Sequence, residues 1–336
     1  MLRHLANRAL AAVGVGVALT ARAADPATAF EARFEPLYAA VFAKGGTFSG
    51  SAMSADLQAL EPLARQQGVA ARDTFRLYYA EAIVFGLRKM SEEAEAAARK
   101  ALTAMPQADS VELAYPHFLL RYSSIRWLAD AKQYDAALKL IRSFQAQYPL
   151  DRIADLPAQI RQDGEPRRDG TRVFDFPTQL QILGVYEDEG YVLHEQGKYR
   201  EAKQANARML PVARKLTKAL GAPEKLRGVL NNIAQNCYEL GEFDEDHAYL
   251  QERLQIALAT HDHATVYDSY FQLMVLAHEQ KQSDKAHQWL AMYVQYAQTQ
   301  KDSEQLARAK ELQAELDHRE SGRHSDYPPE PAAQVR

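Results

Sequence analysis

Cysteine is almost missing: Cys237 stands alone in 336 residues. No internal disulfide can form, so the chain has to hold itself together by packing. A dominant charge is lacking too. Forty Lys and Arg against 44 Asp and Glu leave a formal charge of −4, which offers no electrostatic footprint for nucleic acid or an anionic membrane. Catalytic signatures are equally scarce. No G-x-S-x-G nucleophile motif occurs. His194-Glu195 and His278-Glu279 begin like a zinc-protease HExxH, yet Lys198 and Gln282 stand where the second His belongs. The run Lys44 to Gly50 lacks the Lys-Ser/Thr ending and the preceding strand of a phosphate loop, and reads as a flexible helix connection. His261-Asp262-His263 offers two imidazoles with no further ligand in sight. No metal and no cofactor is expected.

What is present is an ordinary globular composition, 47% hydrophobic and 25% charged, with apolar mass enough for an extended core. Residues 1–23 look like a secretion signal. Arg3 and Arg8 make a basic start, Leu10 to Leu19 a short apolar centre, and Ala21-Arg22-Ala23 a small-x-small cleavage site. That apolar centre is about half the ~20 residues needed to span a bilayer, so no membrane insertion is expected after cleavage. Without a Cys near the cleavage site a lipoprotein anchor is excluded. The expectation is a bacterial protein exported to the periplasm, or secreted; the competing reading keeps the segment as an anchor. Two amphipathic helices are expected next, Ala27–Phe42 and Ala55–Gln66, within an N-terminal unit over residues 24–72.

From Tyr78 a pattern repeats. In the stretch from Leu230 to Ala259, Leu230, Ile233, Ala234 and Cys237 share one helical face, which makes Cys237 a buried small hydrophobe. Gly241 then stops the helix, and Leu250, Leu254 and Ala257 begin a second apolar face. This is a helical hairpin. Its second helix carries a small residue in most copies, at Ala94, Ala137, Ala202 and Ala286, with Asp246 as the exception. Pro106 and Pro149 each follow their alanine by 12 residues. Tyr186, Gly190, Leu193, Gly197, Tyr199 and Ala202 form the fullest copy, while Lys281 stands where Gly is usual. The set resembles the tetratricopeptide repeat. Anchors spaced 43, 65, 44 and 40 residues apart exceed the standard period of about 34. That matches the longer variant found in kinesin-light-chain-like and bacterial regulatory arrays. The resemblance implies an all-α, right-handed superhelix (α-solenoid) of TPR-like hairpins over residues 73–149 and 178–317. Asp246 is expected to weaken the close packing of its hairpin.

The 65-residue gap marks an inserted loop at 150–177, whose Arg161, Arg167, Arg168 and Arg172 are interleaved with acids, so it reads as solvated or as a binding loop. Residues 318–336 have few apolar side chains and are expected to be a disordered tail. In this family the first helices of successive repeats line a concave groove. Carried over, the contact positions are Tyr79 and Ile83, Tyr122 and Arg126, Glu187 and Tyr191, Asn231 and Gln235, then Phe271 and Val275. The Lys/Asn/Arg clamp that some members use for a peptide carboxylate is absent. The resemblance therefore implies an extended peptide or a partner helix as ligand, and a non-enzymatic scaffold, an adaptor or assembly factor of an envelope complex. Two other readings stay open, an enzyme with an unrecognised site and a self-associating structural protein, that is, a homo-oligomer.

Overall fold

Between the two helices of each hairpin the backbone turns left-handed, at Lys89, Lys132, Gly197, Gly241 and Lys281, with φ between 58° and 71°. Each is the C-terminal stop of one helix. The amide that follows reaches back to a carbonyl five residues earlier: Met90 to Phe85, Gln133 to Leu128, Lys198 to Leu193, Glu242 to Cys237 and Gln282 to Ala277, at 2.8–3.0 Å. Those bonds satisfy the last carbonyls of one helix and launch the next. The computed structural model describes residues 25–42, 50–158 and 177–320. The expected signal, the connection from Lys44, the basic cluster of the inserted loop and the tail beyond residue 320 lie outside them.

The five turns define five hairpins: α4 (Ala71–Leu87) with α5 (Ser91–Ala104), α6 (Val111–Asp130) with α7 (Tyr134–Gln147), α8 (Gln179–Glu195) with α9 (Tyr199–Leu220), α10 (Pro223–Glu239) with α11 (Phe243–Ala259), and α12 (His263–Glu279) with α13 (Ser283–Gln300). Preceding them are α1 (Pro26–Phe42), α2 (Gly50–Gln58) and α3 (Glu61–Ala64), and α14 (Ser303–Glu320) follows. Together they form the right-handed superhelix of tetratricopeptide-like hairpins, with no strand among the described residues. Ala94, Ala137, Ala202 and Ala286 are fully buried, which lets paired helices approach closely. On the third hairpin Gly190 serves the same end, for a Cβ there would fall 2.4 Å from the Asn206 side chain.

Lys281, a departure from the family pattern, changes nothing in the turn: Lys89, Lys132 and Lys281 all adopt the conformation that glycine takes at 197 and 241. A side chain there costs about 1–2 kcal/mol. Lys281→Gly is accordingly expected to gain roughly 0.5–1 kcal/mol, part of the relief being lost to the freer unfolded chain. The urea midpoint checks this; a drop would mean that the lysine side chain contributes more than its backbone costs.

The insertion after α7 leaves the core continuous. Ile141 and Phe144 of α7, Ile153 of the 3₁₀ turn Leu150–Asp155, and Ile182 and Leu183 of α8 are all fully buried in one cluster. Each such side chain is worth about 1.5–3 kcal/mol. The described part of the expected loop therefore begins as packed structure. At the N-terminus the second expected helix is broken into α2 and α3. Pro62 has no amide hydrogen, and its ring would clash with the carbonyl four residues back, so α2 stops at Gln58. α1 lays Phe30, Phe34, Tyr38 and Phe42 in a row with ring centroids 4.7–5.3 Å apart. Arg76 of α4 sits 4.3 Å over Tyr38 and pairs with Glu35 at 2.6 Å. At the other end α14 continues to Glu320, past the expected tail boundary at His318, because Leu312 and Leu316 still find the last core cluster.

Candidate functional site

The first helices of the hairpins, α4, α6, α8, α10 and α12, stand side by side on one face, and the groove positions form two rows across them. One row is Tyr79, Tyr122, Glu187, Asn231 and Phe271; the other, four residues on, is Ile83, Arg126, Tyr191, Gln235 and Val275. Spacing of i, i+4 keeps both rows on the same helix faces.

Tyr79 does not take the place expected of it. It is 5% exposed, stacked 5.2 Å from Phe42 and 6.0 Å from Phe75. The rings of α1 cover it, an arrangement set by contacts about forty residues apart in sequence, so Tyr79 is a core residue. Ile83 is partly buried between the two N-terminal clusters. Phe271 and Val275, at the far end, pack partly against the C-terminal cluster.

The middle of the groove is different. Arg126 Nη2 donates to Asp188 Oδ1 at 2.7 Å, and its guanidinium lies 3.9 Å over the Tyr191 ring. Asp188 is 8% exposed, and burial pushes its carboxyl up to about 6 even with Arg126 beside it. Tyr122 is half-buried, stacked 6.0 Å from Phe118. Its hydroxyl lies over Gly184, 2.5 Å from where a Cβ would stand, and burial pushes its pKa well up. Glu187 accepts from Lys225 Nζ at 3.1 Å and hangs over Gly228. Asn231 accepts from Gln272 at 3.2 Å, and Gln235 is half-buried one turn further on. The structure thus brings Tyr122, Arg126 and Tyr191 together and adds Asp188, Lys225 and the two glycines. Asp188 carried no sequence signal, because its partner is 62 residues away. Flat aromatic faces and a guanidinium held in place suit the grip of a ligand, and the two glycines make room for the Tyr122 hydroxyl and the Glu187 carboxylate.

Other candidate chemistry is absorbed by structure. Asp262 caps α12, accepting from the Thr265 amide at 3.1 Å and pairing with Arg227 at 2.6 Å, while His263 Nδ1 shares a 2.7 Å hydrogen bond with the Tyr296 hydroxyl. His194 Nδ1 is 3.0 Å from Asn236 Oδ1. Cys237, Glu242 and Glu245 lie close together, but the ammonium of Lys203 already sits between the two carboxylates at 2.6 and 2.7 Å. Burial pushes the Cys237 thiol up to about 11, which makes it an inert packing residue.

No protein-family model matches the chain. No curated protein matches it either. Solved structures do. The apo form of RapI superposes with a TM-score of 0.55 at 15% identity, over 79% of this chain and 65% of that one. Aspartyl phosphate phosphatase F from Bacillus subtilis gives 0.50 at 15% identity, over 77% and 64%. A STAND signal transduction ATPase with a tetratricopeptide repeat sensor, from Pyrococcus horikoshii, gives 0.51 at 16%, over 82% and 38%. This chain spans less than two thirds of the length of each. At such identities the likeness is one of fold.

Proposed function

We propose that this chain is an exported scaffold that binds a protein or peptide partner in the middle of its concave groove and works without catalysis of its own. The observation that carries the reading is the arrangement of Arg126 over Tyr191 and against Asp188, beside Tyr122 seated over Gly184. A held guanidinium and half-buried rings fixed in place grip an extended backbone or a helix at little entropic cost. One structural neighbour is described as carrying such repeats as its sensor, which fits a module that acts by binding. The export reading rests on Arg3, Arg8, Leu10 to Leu19 and Ala21-Arg22-Ala23. We place the protein in the periplasm, as an adaptor or assembly factor of an envelope complex.

Affinity capture from native envelope extract tests this. The parent is compared with Tyr191→Ala/Gln235→Ala, whose fold circular dichroism confirms. One partner should be held by the parent and reduced about tenfold or more in the variant, as loss of a central aromatic contact implies. The same proteins on both would show that the groove is not the working surface.

A further inference from the structure

One turn beyond the second groove row lies a third: Leu87, Asp130, Glu195, Glu239 and Glu279, each four residues after its predecessor and two before the left-handed residue of the turn. Helical spacing keeps this row on the concave side. All five are exposed. The four acids close the C-terminal ends of α6, α8, α10 and α12, where the helix dipole disfavours negative charge. Their placement works against helix stability and needs another reason. Glu195, Glu239 and Glu279 have no ion pair among the described residues. Lys132 and Lys281 stand two residues later, in the left-handed turn beyond the last helical residue. The acids form a negative lip along the groove, with Arg126 as the basic neighbour of Asp130 and none paired to Glu195, Glu239 or Glu279 among the described residues.

Leu87 breaks the pattern. It is 67% exposed, against 37–42% for the other exposed large apolar side chains. It borders a cleft of about 820 Å³ between the α4–α5 turn and the end of α6, walled also by Met90, Trp127, Glu92, Glu93 and Lys89. Trp127 reaches this position because Gly86 has no side chain; a Cβ there would lie 2.7 Å from the indole. Ser91, Arg126 and Asp130 also wall it, so the cleft is of mixed polarity, and Leu87 is its exposed apolar element at the head of the acidic row.

We infer that cleft and lip together dock an extended segment of a partner protein, one apolar side chain seated against Leu87 and basic side chains following along the acids. Neighbouring helices are about 8–10 Å apart, and an extended chain advances about 3.3 Å per residue, so the basic residues recur at roughly every third position. The inference rests on the groove reading and gives its occupant a chemistry.

The test uses the purified full chain and fluorescein-labelled peptides of about 14 residues, long enough to cross four helices. The probe has leucine near one end, lysine at every third position and serine elsewhere, and is made in both chain directions. One control replaces lysine by glutamate, another leucine by serine. Fluorescence anisotropy should show saturable binding of a lysine probe, weakened about tenfold or more at high salt. The glutamate control should not bind. Leu87→Ser and the triple variant Glu195→Gln/Glu239→Gln/Glu279→Gln should each weaken binding by about tenfold, as three exposed charge pairs allow. If neither lysine probe saturates, if the glutamate control binds as tightly, or if both variants match the parent, the inference is overturned. A natural partner lost by Tyr191→Ala/Gln235→Ala but held equally by both lip variants leaves the groove reading standing and removes the lip. A lysine probe that obeys the lip variants while capture ignores the groove variant does the reverse.

Discussion

Arg126→Ala is expected to destabilise the protein by roughly 2–4 kcal/mol at pH 8, the range for breaking a buried pair, reduced because the Arg126 side chain is 44% exposed. The cause is what it leaves behind. Asp188 is buried, and without the guanidinium its carboxylate has only Lys225 as a nearby positive charge, itself bound to Glu187. The Asp188 pKa in the folded protein is already raised from 3.8 to about 6. Its contribution to stability is therefore full below about pH 4 and lost as pH rises through 6. Taking Arg126 away raises that pKa further, so the mutational loss should be small at pH 4–5 and widen above pH 6. Urea unfolding at pH 5 and pH 8 measures it, and Arg126→Ala/Asp188→Asn should recover most of the loss at pH 8. An equal loss at both pH values would mean that packing on Tyr191 outweighs the ion pair. Groove tests that truncate Arg126 would confuse folding with binding, which is why Tyr191 and Gln235 are the better probes.

Asp246→Ala should do the opposite, adding roughly 2 kcal/mol at pH 8. Asp246 occupies the anchor position that is alanine in the other four hairpins, and it is 3% exposed. Burial alone raises its pKa from 3.8 to about 7. A shift of that size converts to about 4 kcal/mol. We halve it because Asp246 lies in the first turn of α11, where the helix dipole favours its charge. The stability that a protonated Asp246 retains is present below about pH 4 and lost as pH climbs through 7, so the gain from alanine should grow over that window. Glu81 acts in the same sense: 1% exposed, it is pushed up to about 8 by burial and by the nearby Glu61. The parent should therefore lose stability from pH 5 to pH 8, and Asp246→Ala should flatten the curve. A gain that ignores pH would point to volume rather than charge.

The hairpins were legible because their signals are local. A small residue at the anchor, a stop with positive φ and an i, i+4 apolar face all lie within one repeat, and all recur. Lys281 looked like a flaw only because the family prefers glycine there; the backbone bonds that end the helix are indifferent to the side chain. What was hidden depends on distance. Tyr79 reads as a groove residue until Phe42, 37 positions earlier, is found stacked on it. Arg126 was legible as a contact position, but the carboxylate that holds it was not. The acidic lip is written in the sequence, and it becomes visible once each helix is counted back from its left-handed residue.

Among the described residues almost every helix touches only its neighbours in the chain, two or three elements away at most, and no distant clasp holds them shut under tension. Pulled from its two ends, the array stretches first as a spring through small rotations between hairpins. It then yields one hairpin after another, so that a load passed through the groove to a partner would be released in steps.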